Sequence, residues 1–250
     1  MPTIHTVDAF EVQGRTTVRT EDGTFLRLAE QRDGADALGP ALEARVRGEL
    51  EDRRRARTAP VAGRTDVGIL APEAFTRRLE AELPGSALRL RTVTPDALPL
   101  PGHLPGLLLH VAETPGERGL ADRLPATGTG VLRCYREGGL LFIDPLRLHD
   151  GDPDSRQVLR RRLAASSAPA ELETWLGRQQ PGDLLDGLPT AAVTLLFARV
   201  LTVLTDWQHH TPALDEHRRT LWRLDTTTLL ATGHPVLAYP EPAPHPGRRR

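Results

Sequence analysis

The sequence predicts an α/β protein in two parts, a small β-plus-helix module followed by a larger α/β domain. Three observations lead there. After residue 66, extended apolar runs alternate with helical ones, the pattern of a layered sheet with largely parallel strands. The first 58 residues hold short strand-like runs and one helical run. Between the two parts, Thr58 to Gly63 contains the Pro and Gly that interrupt periodicity. At about 150 residues per domain, a chain of 250 residues is also long enough to bury a sizeable core.

In the first module, Val7 to Val12 alternates apolar and polar residues and Thr16 to Arg19 is β-prone. Asp22-Gly23 is a hairpin signal leading into Phe25 to Leu28. Leu38, Leu42, Val46 and Leu50 then recur at helical spacing. These readings set a module at 1–58, a linker at 59–65 and an α/β domain at 66–250. In the domain, Val67 to Leu70 reads as a buried strand, and Pro72 opens a helix that places Phe75, Leu79 and Leu83 on one face. Leu88 to Val93 alternates as a strand. Leu107 to Ala112 is apolar enough to be a central strand covered on both faces.

A short helix fits between Glu117 and Leu124. Val131 to Arg136 and Leu140 to Ile143 form an antiparallel pair about Gly138-Gly139. Helices are expected at Arg156 to Ala165, Ala170 to Arg178 and Thr190 to Trp207. A β pair, Thr220 to Leu224 with Thr228 to Leu230, closes the fold before a proline-rich tail from Pro235 to Arg250.

Composition removes several function classes. The 32 basic residues are all Arg and face 33 acidic ones, a net charge of -1 that lacks the basic excess of a dedicated nucleic-acid binder. Lys and Asn are absent, as expected of a GC-rich coding sequence, so an Arg-rich surface is mostly compositional background. The N-terminus shows no basic segment followed by an apolar run, so a cytoplasmic location is expected. Thr190 to Trp207 is the most apolar stretch, but it carries Arg199, Asp206 and four Thr. That is the composition of a buried or interface helix, not of a membrane span. The one cysteine, Cys134, excludes an internal disulfide and any zinc site needing several thiolates from this chain.

The residues that could carry chemistry are few. Ala71-Pro72-Glu73-Ala74-Phe75 stands where a nucleotide fold places its glycine loop; it has no glycine, loses an amide donor at Pro72 and puts Glu73 beside any phosphate. His209, His210 and His217 with Asp206 offer metal-ligand types, but adjacent helical residues point about 100 degrees apart and a Pro intervenes before His217. Ser166-Ser167 lacks a nucleophile-elbow context and Cys134 lies inside an apolar strand, so no nucleophile is expected. Arg156, Arg160, Arg161 and Arg162 form a basic helix face, and Arg248 to Arg250 repeat that sign. No aromatics interleave to stack bases, so this reads as a solvated surface before it reads as an anion site. The N-terminal module differs in kind: a small sheet beside one helix leaves an edge that can accept a peptide as an added strand.

Gly138-Gly139-Leu140-Leu141-Phe142-Ile143-Asp144-Pro145-Leu146, followed by Asp150 to Val158 and the Arg-rich Leu159 to Arg162, resembles a segment of the ThiF-like, ubiquitin-activating-enzyme-like partner proteins of YcaO-type cyclodehydratases. That family serves the biosynthesis of azoline- and azole-containing ribosomal peptides, thiopeptides among them. Leu221 to Leu229 and His234-Pro235-Val236-Leu237 resemble its closing strands and its His-Pro-Val-Leu segment. The resemblance spans about Asp66 to Gly247. Ser155, Val158, Ala243 and Pro246 stand where the family has four zinc-binding cysteines, so no structural zinc is expected there. Leu109 to Thr114 with Arg118 stands where adenylating relatives handle Mg-ATP, with Glu113 in place of an Asp.

The N-terminal module then corresponds to the family's winged-helix-like peptide-recognition element. The resemblance implies a partner without chemistry or cofactor of its own. It would hold the leader of a precursor peptide at an edge formed by Thr24, Phe25, Leu26, Arg27 and Leu28, beside Leu42 and Val46, and dock on a YcaO-type cyclodehydratase. It also implies a homodimer, with the helix at 190–207 as the candidate interface. The competing readings are a divergent ThiF-like adenylyltransferase that activates a carboxylate, and a winged-helix DNA-binding regulator.

Overall fold

The computed structural model describes residues 8–13, 15–19, 23, 25–27, 48, 52, 60–83, 86–98 and 104–239. The chain divides into two compact units, Met1–Ala59 and Pro60–Arg250. In the first, β1 (Asp8–Val12), β2 (Arg15–Arg19) and β3 (Phe25–Arg27) form an antiparallel sheet in the order β1-β2-β3. Gln13 turns the chain between β1 and β2 at φ 53. Of the expected helix over Leu38 to Arg57, only Gly48 and Asp52 are among the described residues, and both are helical.

The second unit is built on a sheet of seven strands: β4 (Asp66–Leu70), β5 (Arg89–Thr92), β6 (Leu107–Val111), β7 (Gly130–Glu137), β8 (Leu140–Ile143), β9 (Thr220–Asp225) and β10 (Ala231–Pro235). Their order is β10-β9-β8-β7-β6-β4-β5. The ladders β5-β4-β6-β7 are parallel and β7-β8-β9-β10 antiparallel. The sheet is therefore mixed, with more antiparallel pairing than strand-helix alternation alone suggests. β6 lies between β4 and β7 and is buried at all five positions, in keeping with its unbroken apolar run.

Side chains alternate across the sheet. Leu107, Leu109 and Val111 face the main core, while Leu108 faces a second cluster on the opposite side. The main core holds α1 (Glu73–Ala81) and α4 (Thr190–His209), whose Phe75 and Phe197 rings lie 4.8 Å apart. α4 is long and apolar enough to cross a membrane by length and composition; here Leu196, Phe197, Val200, Val203, Leu204 and Trp207 are spent on the sheet. On the other face, α2 (Ser155–Ala165) packs through Val158 against Tyr135, Phe142, Leu221 and Val236. α3 (Pro169–Leu176) and the short α5 (Leu214–His217) complete the α-helices of the second unit among the described residues.

The structure corrects three local expectations. Thr228 to Leu230 is turn, not strand: the Asp225 carboxylate accepts from the Thr227 and Thr228 amides, and the strand begins at Ala231. The helix expected between Glu117 and Leu124 is two 3-10 turns, Pro115–Gly119 and Leu124–Thr127, each opened by a proline in its first turn. α1 stops at Ala81, leaving Leu83 just past its end but still against the core. Val61 and Arg64, in the stretch read as a linker, bond to the carbonyls of Gln208 and Trp207 at 2.9 and 2.8 Å.

Candidate functional site

At the first candidate place, the N-terminal sheet, β3 pairs with β2 on one side and with no other strand among the described residues. Phe10 on β1 and Phe25 on β3 meet edge to face, their centroids 6.0 Å apart, and both stay exposed with Val12. Registry explains the contact: Phe10 opposes Thr17, Thr17 opposes Arg27, and Phe25 lies two residues from Arg27 on the same face. Of the expected peptide-binding residues, Phe25 and Arg27 are exposed on this strand and Leu26 lies between them. Thr24, Leu28, Leu42 and Val46 lie outside the described residues.

The second place is the end of β6, with Glu113 and Arg118, which the resemblance sets against the Mg-ATP segment of adenylating relatives. Arg118 is already engaged there. It is buried, donates to Glu137 at 2.9 Å and lies 3.8 Å above the Tyr135 ring. The Glu117 carboxylate accepts from the Glu113 and Thr114 amides in a capping box. Partial burial, with Glu117 and Asp183 nearby, raises the Glu113 pKa.

The third place is the face of β7 under α2, which the sequence reading did not single out. Period-two alternation sends Arg133, Tyr135 and Glu137 to one face. Tyr135 opposes Phe142 across β7 and β8, and the rings stack at 5.2 Å. Glu137 accepts from Arg118 and from both terminal nitrogens of Arg162, whose guanidinium lies 4.4 Å over Phe142. Burial would lower the Arg162 pKa, but bonding to Glu137 outweighs it and holds the pKa high. One strand position further in, Arg133 bonds Asp144 at 2.8 Å and Asp122 at 2.7 Å. The sequence shows only that Arg133 and Glu137 fall two strand steps apart on one face of β7; it does not show which residues they meet.

Ser155 and Val158, two of the four positions that the resemblance sets against zinc-binding cysteines, lie in this region. The Ser155 hydroxyl donates to Asp122 at 2.5 Å, and Val158 is buried among Tyr135, Phe142 and Val236. Gln157 accepts from the Asp154 amide and donates to the Tyr239 carbonyl at 2.6 Å, tying the start of α2 to the segment after β10. Ala243 and Pro246 lie outside the described residues.

The histidines separate. His217 Nε2 lies 2.7 Å from Asp206 and its Nδ1 3.0 Å from the Arg199 guanidinium, while His210 meets Arg64. Among the described residues no group of three His, Cys, Asp or Glu side chains is placed to hold a metal. Cys134 is fully buried on the core face of β7; burial, then Asp144, pushes its thiol pKa up.

No protein-family model and no curated protein matches the sequence. Solved structures do match in fold. The chain is similar to a chain of the E. coli microcin synthetase McbBCD complex at 14% identity and TM-score 0.52, over 96% of this chain and 98% of that one. The same complex with pro-MccB17 bound matches at 12% identity and TM-score 0.53, with the same coverage. A heterocyclase in complex with substrate and cofactor matches at 11% identity and TM-score 0.60, over 92% of this chain and 37% of that one. The heterocyclase TruD matches at 13% identity and TM-score 0.55, over 92% and 40%. The chain therefore spans well under half the length of these two heterocyclases. The shared property is the mixed α/β fold, in agreement with the class that the resemblance implied.

Proposed function

We propose that the protein is a partner subunit without chemistry of its own in the biosynthesis of azoline- or azole-containing peptides. It binds the leader of a ribosomal precursor peptide and presents the core to a YcaO-type cyclodehydratase. The observation that carries this reading is β3, a strand that is paired on one side only among the described residues, beside the exposed Phe10 and Phe25. Such an edge gives an extended peptide main-chain hydrogen bonds, and the aromatic face gives it apolar contact. Thr24, Phe25, Leu26, Arg27 and Leu28 supply the edge in this proposal, with Leu42 and Val46 beside it. The fold shared with the microcin synthetase chain and the two heterocyclases supports the same reading.

Holding the leader raises the effective concentration of the core peptide at the neighbouring active site, so processing accelerates without catalytic residues in this chain. The engagement of Arg118 by Glu137 and Tyr135 supports the non-catalytic role over adenylation. Pairing of two copies through the outer face of α4, where Leu195 is exposed, belongs to the proposal, as does a cytoplasmic setting.

Fluorescence polarisation with a labelled leader tests it. The full chain binds, and protein lacking residues 1–58 does not; equal affinity refutes the assignment. ATP-pyrophosphate exchange above background would overturn the non-catalytic role, and a monomer at micromolar concentration in sedimentation would remove the pairing.

A further inference from the structure

The strand β10 forms one margin of the seven-stranded sheet, and among the described residues it pairs only with β9. Two ladder bonds fix which groups face outward: the Asp225 amide donates to the Leu230 carbonyl, and the Val236 amide to the Arg219 carbonyl. Alternate residues of an antiparallel strand face alternate sides. Leu230, Thr232, His234 and Val236 therefore bond inward, and Ala231, Gly233 and Pro235 turn their main-chain groups outward. The outer edge offers two amide donors, Ala231 and Gly233, and three carbonyls. Pro235 costs β9 no hydrogen bond, because its position never faces that strand.

Where β10 ends, a groove of about 500 Å³ opens between it and α2, lined by Arg160, Arg161, Ala164, Pro235, Leu237 and Tyr239. Its apolar residues are exposed, Leu237 most of all at 67%. Arg160 and Arg161 are exposed as well, and neither makes an ion pair among the described residues. Their neighbour Arg162 is consumed by Glu137, so the two form a separate cationic wall over an apolar floor. The chain's own last residues, Arg248 to Arg250, carry the same sign and are unsuited to the wall.

We propose that this margin is a second docking site, which takes an extended segment of a partner protein with alternating acidic and apolar side chains. The segment adds as a strand outside Ala231 to Gly233. It then runs past Pro235 into the groove, where its carboxylates meet Arg160 and Arg161 and its apolar side chains cover Leu237 and Tyr239. The site is independent of whatever the N-terminal unit binds.

A fluorescein-labelled decapeptide of alternating Glu and Val, titrated into the full chain, tests this, with Lys in place of Glu as the control peptide. The Glu peptide binds and the Lys peptide is weaker by about tenfold or more. Arg160→Gln/Arg161→Gln weakens the Glu peptide by about tenfold, as the loss of charge-assisted contacts requires. Ala231→Pro deletes one outward donor, leaves the bonds to β9 in place and weakens binding by about fivefold. Wild-type affinity in either variant, or equal binding of the two peptides, overturns the proposal. Both variants keep leader affinity at the N-terminal unit, so failure here is distinguishable from failure of the reading above.

Discussion

Glu137 is a buried carboxylate shared by two guanidiniums that themselves lie over aromatic rings. The sequence shows it only as a charge at the end of a strand. Its partners come from 19 residues before and 25 residues after it, and no local pattern announces such a meeting. His110 is a second case. Burial and, after it, the nearby Arg133 push its pKa down to about 3 from an ordinary 6.5. The folded protein therefore holds a neutral imidazole, while the unfolded chain takes up a proton below about 6.5. Stability from this group is complete above that pH and is lost as the pH falls towards about 3. The expected slope in that window is at most about 1.4 kcal/mol per pH unit. Urea midpoints at pH 7 and pH 5 should converge in His110→Leu relative to the wild type; an unchanged difference would show that the ring does not report its burial.

Among the elements, β4 shows how close packing dictates a residue. A Cβ on Gly68 would lie 2.7 Å from Pro105 Cγ and 2.8 Å from Val93 Cγ2. Gly68→Ala is expected to cost about 1–3 kcal/mol through overpacking. Gly151→Ala, where nothing lies within 4 Å, should stay within about 0.5 kcal/mol; equal denaturant midpoints for the two variants would contradict this. The strands β4, β6, β7, β8 and β9 and the helices α1, α2 and α4 were legible from periodicity, because their apolar faces repeat at two or 3.6 residues. The last strand was not. An Asx turn at Asp225 and the exposed side chains of β10 give no alternating apolar signal, so the reading placed the strand three residues too early, at Thr228 to Leu230 instead of from Ala231. The free margin at β3 was legible only as a short strand after Asp22-Gly23; the exposed aromatic pair beside it depended on strand register.

At the scale of the second unit, Arg133 joins parts that are distant in the chain. It ties β7 to Asp144 after β8 and to Asp122, which also accepts from Ser155 at the start of α2. Burial alone would lower the Arg133 pKa; the two carboxylates outweigh it and hold the guanidinium charged. Arg133→Met strands those carboxylates and should cost about 3–5 kcal/mol. Adding Asp122→Asn and Asp144→Asn should recover part of the thermal midpoint, whereas a triple variant less stable than the single one would reject the cross-link. The sequence by itself determined the fold class and the order of most strands and helices, because these follow from periodicity, and its single cysteine leaves no set of several thiolates for a metal. Only the tertiary structure decided that the sheet is mixed, that Arg118 is engaged by Glu137, and that the start of α2 is joined by Ser155, Gln157 and Val158. Each of those depends on residues far apart in sequence finding one another, and pairing energy across space leaves no period along the chain.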